Sequence, residues 1–438
     1  MSEKLTTDTT ALKWGPIRLQ PGVSQGNMTV YVLGFVFTML FSTFVPQAQP
    51  FILTEVLHIP AEQQGSLSGM LGLAQTVIGL IMPGFWGTLS DKTGRRLVYG
   101  IGFLLAASGI ILYPLAGSLV ALFLFRMLFA SGSNASHTMS NALLGDYIDS
   151  RDRGKALGIN AAFGGIGALL TVFLFLRLPS IFQNSGVSVI NSGRFTYWIV
   201  AALGLVAIAL VMTGLLGKSR QQAAEKRGTI QLAREALQAA VKDPGISLAY
   251  GVNFAASGAV SVVGTFFTLW IVTYGTTQGG LTSAGALAKA GMIMGISQIM
   301  GLVASPIFGV LSDKIGRVRT AALASGLTAL VFFASLLIGN PLEGGMILLG
   351  LFVGFSQISG LIAGGALVAQ RAPEAVRGSV MGFYGFCGAL GIMLAFLLGG
   401  WLFDHWMFQG PFVLVGTLCA GVAIWSLVVD RMLMKKAE

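Results

Sequence analysis

Arg126 lies inside the apolar stretch 119–146, and Ser133, His137 and Ser140 follow it at i+7, i+11 and i+14. On a helix of 3.6 residues per turn the three fall within about 40° of Arg126, so the four form one polar stripe. Asn141 lies close to the same face and Asn134 beside it. A guanidinium within an apolar span is costly; it either binds an anion or snorkels toward the headgroups. His137 lies about 16 Å further along the same helix and is the one side chain at that depth that titrates near neutrality. Two readings of it stand: a group that couples a proton or touches a solute, and a neutral imidazole satisfied by neighbouring Ser or Asn. On another apolar stretch Ser257, Ser261, Thr265 and Thr268 form a second stripe, and Thr38, Ser42 and Gln49 lie on a third beside Pro46 and Pro50. Gln75, Gln298, Gln357, Asn253 and Tyr384 can supply hydrogen bonds, and Lys289 a further positive charge.

Other chemistry is absent. No Asp or Glu falls deep in an apolar stretch; Glu55, Glu62, Glu343 and Asp404 belong near stretch ends. No paired carboxylates, no His/Cys/acid cluster at metal-ligand spacing, no nucleophile motif and no phosphate-binding loop occur. An enzyme, a bound metal, a cofactor and ATP-driven transport are therefore not expected.

The elements that hold these residues are membrane helices. Hydrophobic residues make up 54% of the 438, charged residues 10%, and mean hydropathy is +0.78. Soluble domains carry about 25% charge. Charged residues divide the chain into twelve apolar stretches, 28–54, 64–90, 97–117, 119–146, 156–177, 195–217, 247–275, 284–310, 320–340, 344–370, 379–403 and 408–429. Each reaches the roughly 20 residues that a spanning helix needs. With an inside N-terminus, 23 of the 27 Lys and Arg fall on the inner side. The net charge of +10 is thus a matter of topology, and nucleic acid is not an expected partner. Residues 1–27 carry no apolar core of a cleavable signal peptide. Cys387 and Cys419 lie in apolar stretches and read as small packing residues.

The chain is doubled. Gly87-Thr-Leu-Ser-Asp91-Lys-Thr-Gly94-Arg95 returns as Gly309-Val-Leu-Ser-Asp313-Lys-Ile-Gly316-Arg317, 222 residues later. Arg153-Gly154-Lys-Ala-Leu-Gly158 returns as Arg377-Gly378-Ser-Val-Met-Gly382, and Gly164 and Gly167 match Gly388 and Gly391. The expected organisation is an inner tail over 1–27, a six-helix bundle over 28–217, an inner linker over 218–246 with an amphipathic helix Thr229–Lys242, a second bundle over 247–430, and an inner tail over 431–438. The linker reads either as a membrane-surface hinge or as a solvated tether.

Six plus six spans, with this charged loop after spans two and eight, resemble the major facilitator superfamily over essentially the whole chain. The resemblance implies an all-α integral membrane protein of two pseudo-symmetric bundles, with one solute site between them exposed alternately to each side. It implies that spans one, four, seven and ten line the site, which brings in Arg126, Asn134, His137, Asn141, Asn253 and Gln357; Gln75, Gln298 and Tyr384 are nominated as polar groups of other spans. It also implies an inner latch that favours the outward-open state. Asp91 would cap the start of span eleven near Gly378, and Arg95 would pair with Asp146. Asp313 and Arg317 form the second copy, but Gln370 stands where Asp146 has its equivalent, and Glu374 is the nearest substitute. The alternative is that these charges only set topology. The Gly-Pro signature of drug antiporters is missing from span five, which reads AAFGGIGALL over 161–170. Proton-driven members usually hold a deep carboxylate, and none is present here.

The function expected is secondary transport of a small organic solute, with an organic anion favoured and His137 the candidate for proton coupling. The alternatives are an exporter of amphipathic drugs or lipids and a non-transporting membrane receptor. Lipids, a solute and a coupling proton are the expected partners. A monomer in the plasma membrane, the inner membrane of a bacterium, with both termini cytoplasmic, completes the expectation.

Overall fold

A computed structural model describes residues 12–217 and 229–435. Residues 1–11, 218–228 and 436–438, parts of the expected inner tails and linker, lie outside the described residues. Among the described residues, twelve helices are long and apolar enough to cross a bilayer. Spans 1 to 6 are Gln25–Glu55, Ala61–Thr93, Arg95–Leu115, Leu119–Tyr147, Ser150–Asn184 and Val189–Gly214. Spans 7 to 12 are Pro244–Thr277, Ser283–Ile315, Arg317–Leu337, Gly344–Arg371, Glu374–His405 and Gly410–Lys435. The helices run past the charges that bounded the apolar stretches, because polar residues at headgroup depth continue a helix whose centre is already fixed by lipid. The clearest case is span 5, expected over 156–177 and observed over Ser150–Asn184.

The two halves share one packing scheme. Span 1 packs on span 5 and span 7 on span 11, while span 3 lies between spans 4 and 6 as span 9 lies between spans 10 and 12. Glycine lets the paired backbones approach: a methyl at Gly167 would strike the Val36 carbonyl, and one at Gly391 the Phe254 carbonyl. The repeated loop also repeats its backbone. Gly94 has φ 97° and ψ 147°, and Gly316 has φ 90° and ψ 150°, a conformation that L side chains rarely adopt. Helix Thr229–Lys242 packs on the second half, with Ala236 and Ala239 buried and Glu235 accepting a hydrogen bond from the Ser379 hydroxyl at 2.7 Å. Asp243 then caps span 7 through the Gly245 amide at 2.7 Å.

The tail before span 1 differs from expectation. Strands β1 (Lys13–Trp14) and β2 (Ile17–Arg18) form a hairpin, and Leu19 bridges to Ile148 after span 4. Ile17 and Leu19 are buried, the Arg18 amide donates to Asp152 at 3.0 Å, and the Gln20 amide donates to the Tyr147 carbonyl at 2.9 Å. Two alternating apolar residues are too short a signal to read as a strand, and tertiary contact supplies the rest.

Candidate functional site

One face of the molecule, the basic face, carries both described chain ends and the Lys/Arg-rich loops. Two seams join the halves, span 2 against span 11 and span 5 against span 8. Both are shut toward the opposite face. A methyl at Gly69 would meet the Phe396 carbonyl, one at Gly400 the Gly65 carbonyl, and one at Gly291 the Val172 carbonyl. Toward the basic face the same helices stand apart: Gly84, Gly87, Gly158, Gly309, Gly378 and Gly382 have open space where a methyl would go. The molecule is therefore closed at the opposite face and open at the basic face.

Under the closure lies a cavity of about 260 Å³ between the halves. Span 1 contributes Ser42, Pro46 and Gln47; span 7 Ser261, Gly264 and Thr265; span 8 Met294 and Gln298; span 10 Gln357; span 11 Phe396. Pro46 cannot donate to the helix ladder, and Val263–Phe267 is a π-helical turn, so both lining helices are irregular where they border the cavity. The lining holds amides, hydroxyls and apolar groups, with no ionisable side chain.

Of the nine residues nominated for the solute, Gln298 and Gln357 lie on this cavity and seven do not. Arg126 turns into its own bundle, 5.6 Å from the Phe129 ring centroid and within the field of Tyr113 and Tyr197. It is buried, and its Nε and Nη1 have no hydrogen-bond partner. Asn134 donates to its own helix at Ala130, and its side chain is the nearest group to Gly79 of span 2. His137 is half-buried and makes no hydrogen bond among the described residues. Asn141 is exposed, and Gln75 is half-buried with its Oε1 unpartnered. Asn253 donates to the Tyr384 carbonyl at 2.7 Å, a contact between spans 7 and 11 that engages one of its two N–H donors. Lys289 is likewise engaged, by the Leu342 carbonyl. The polar stripe of span 4 thus faces largely into its own half. Ser140 bonds Tyr99 Oη at 2.8 Å, and Tyr99 bonds Thr38 at 3.0 Å. Gln47 also lines the cavity; a glutamine between two prolines carries no periodic signal in the sequence.

The charged loops differ between halves. Arg95, buried, binds Asp91 at 2.8 Å, Asp146 at 3.3 Å and the Ser90 hydroxyl. Asp91 does not reach span 11, because the basic ends of the halves are apart; Gly378 faces open space and Glu235 holds the first turn of that helix instead. Arg317 makes no ion pair among the described residues and donates to the Ala366 carbonyl at 2.9 Å. Asp313 and Glu374 are exposed, so Glu374 does not stand in for the missing acid. Outside the spans, Asp149 accepts bidentate bonds from Arg151 at 2.9 and 3.0 Å, which hold its carboxyl well below the usual carboxylate range.

Known proteins share this architecture. The chain is 28% identical over 409 residues to the magnetosome protein MamH of Paramagnetospirillum magneticum, covering 91% of each chain. It is 24% identical to the inner membrane transport protein YajR of Escherichia coli, over 84% of this chain and 76% of that one. The nucleoside transporter NupG superposes with TM-score 0.70 at 16% identity, covering 93% of this chain and 99% of NupG. A profile of the Major Facilitator Superfamily matches residues 30–359 and, again, 286–437. With twelve membrane helices in two like bundles around a shared cavity, the chain is a secondary transporter, not an enzyme, and belongs to the major facilitator superfamily.

Proposed function

We propose that the protein moves a small organic solute, an organic anion by preference, through the cavity at the seam by alternating access. It does so as a monomer in a bacterial inner membrane, with the basic face and both termini cytoplasmic, so that the structure is inward-open. The observation that carries the anion is Arg126, although its side chain faces its own bundle and does not line the cavity. It is a buried guanidinium in a membrane span with two unpartnered nitrogens and no acid beside it, and an uncompensated charge there is stabilised by a bound anion. His137, half-buried and without a bonding partner, is the proposed proton carrier.

A second reading has its own support. The lining of three glutamines and several hydroxyls, without a charge, suits a neutral solute rich in hydrogen-bonding groups. Thermal-shift screening of purified protein with anionic and neutral solutes, repeated on Arg126→Ala and Gln298→Ala, separates the two. Loss of anion-dependent stabilisation in Arg126→Ala supports the first reading. Stabilisation by neutral solutes alone, lost in Gln298→Ala and kept in Arg126→Ala, replaces it with the second.

A further inference from the structure

Two carboxylates bridge the halves at the closed opposite face. Asp404, near the end of span 11, accepts the backbone amides of Gly65 and Ser66 of span 2, each at 2.7 Å. Glu55, at the end of span 1, accepts the hydroxyl of Ser283, the first residue of span 8. Each contact joins one half to the other, so neither can persist once the opposite ends of the halves separate. The Asp404 donors are main-chain groups, present whatever side chains span 2 carries, and Gly65 admits the carboxylate because a methyl there would collide with Asp404 and Phe403. Hydrogen bonds from N–H to a carboxylate are among the stronger ones available, and these form at a partly dehydrated helix crossing.

We propose that Asp404 and Glu55 together form an outer latch that sets the balance between the two faces of the transporter by favouring closure of the opposite face. The device rests on the alternating-access reading given above. Glu62 lines the same groove as Asp404 but makes no bond across the seam, which makes it the internal control.

The test measures distances by pulsed electron spin resonance on the full chain in liposomes, without solute, with Cys387→Ala and Cys419→Ala as background. One label pair, Gly117→Cys with Leu337→Cys, reports the opposite face; Thr93→Cys with Lys314→Cys reports the basic face. Asp404→Ala or Glu55→Ala is expected to raise the ratio of opposite-face-open to basic-face-open molecules about tenfold each, with Glu62→Gln unchanged. Asp404→Asn should shift the ratio in the same direction but less than Asp404→Ala, because its Oδ1 still accepts one amide while its NH₂ cannot accept the other. If an alanine variant fails to fold, Asp404→Asn and Ser283→Ala carry the same measurement. Distance distributions identical to the parent in folded latch variants overturn the proposal. So does an equal shift in Glu62→Gln. Since no solute is present, an error in the substrate assignment leaves this result untouched, and transport that proceeds while the latch variants show no shift discards the latch alone.

Discussion

Arg95 Nε donates to Asp146 Oδ2 at 3.3 Å, and both side chains are buried at the basic ends of spans 3 and 4. The equivalent arginine of the second half, Arg317, has only a backbone carbonyl. Removal of one member of a buried pair leaves the other charge without compensation. Arg95→Ala should therefore cost about 3 kcal/mol, and Arg317→Ala about 1 kcal/mol, the value of an ordinary hydrogen bond. Thermal unfolding of the two variants in one detergent checks the order; equal losses would refute it.

The Arg126 guanidinium is buried without a counter-charge, so its desolvation opposes folding when no anion is bound. Arg126→Met should raise the unfolding temperature of the unliganded protein, by the equivalent of about 1 kcal/mol or more. The same variant should lose stabilisation by any anion that protects the parent. A fall in unliganded stability would mean that the charge is already satisfied.

Gly382 of span 11 faces open space now and lies on the stretch that must approach span 2 when the basic face closes. Gly382→Val should leave the basic-face-open form intact, with unchanged unfolding temperature, and abolish transport. Gly69→Val, at the closed crossing with Phe396, should instead destabilise this form itself. Spin-label distances at the two faces distinguish the outcomes.

The hairpin before span 1 anchors the loop between spans 4 and 5 through Ile17 and the Arg18–Asp149 backbone bond at 3.1 Å. Ile17→Ala, which empties a fully buried site, should cost about 2 kcal/mol locally. Hydrogen exchange at Gln20 and Asp149 should quicken accordingly.

The Asp149 carboxyl has its pKa lowered by Arg151, so its contribution is present above the ordinary carboxylate value of about 3.9 and disappears as pH falls through the depressed one. Exchange protection of this loop should hold constant from about pH 5 to 8. Asp149→Asn should reduce protection across that whole range.

The twelve spans and the doubling were legible in the residues, because lipid demands about 20 apolar residues per crossing and the repeated loop keeps its charges and its positive-φ glycine in both copies. Helix periodicity also placed Arg126, Ser133, His137 and Ser140 on one face of span 4. It did not state which way that face turns. The rotation of span 4 follows from packing with spans 2 and 3, where Ser140 meets Tyr99 and Asn134 lies beside Gly79, and so the stripe faces its own bundle. Gln47 entered the cavity for the converse reason: proline and a π-turn distort the lining helices at points that no 3.6-residue period anticipates. The state of the molecule likewise belongs to tertiary structure alone. Whether Asp404 touches Gly65 or Asp91 approaches Gly378 depends on the relative tilt of two rigid bundles, and local sequence fixes each bundle without fixing the angle between them.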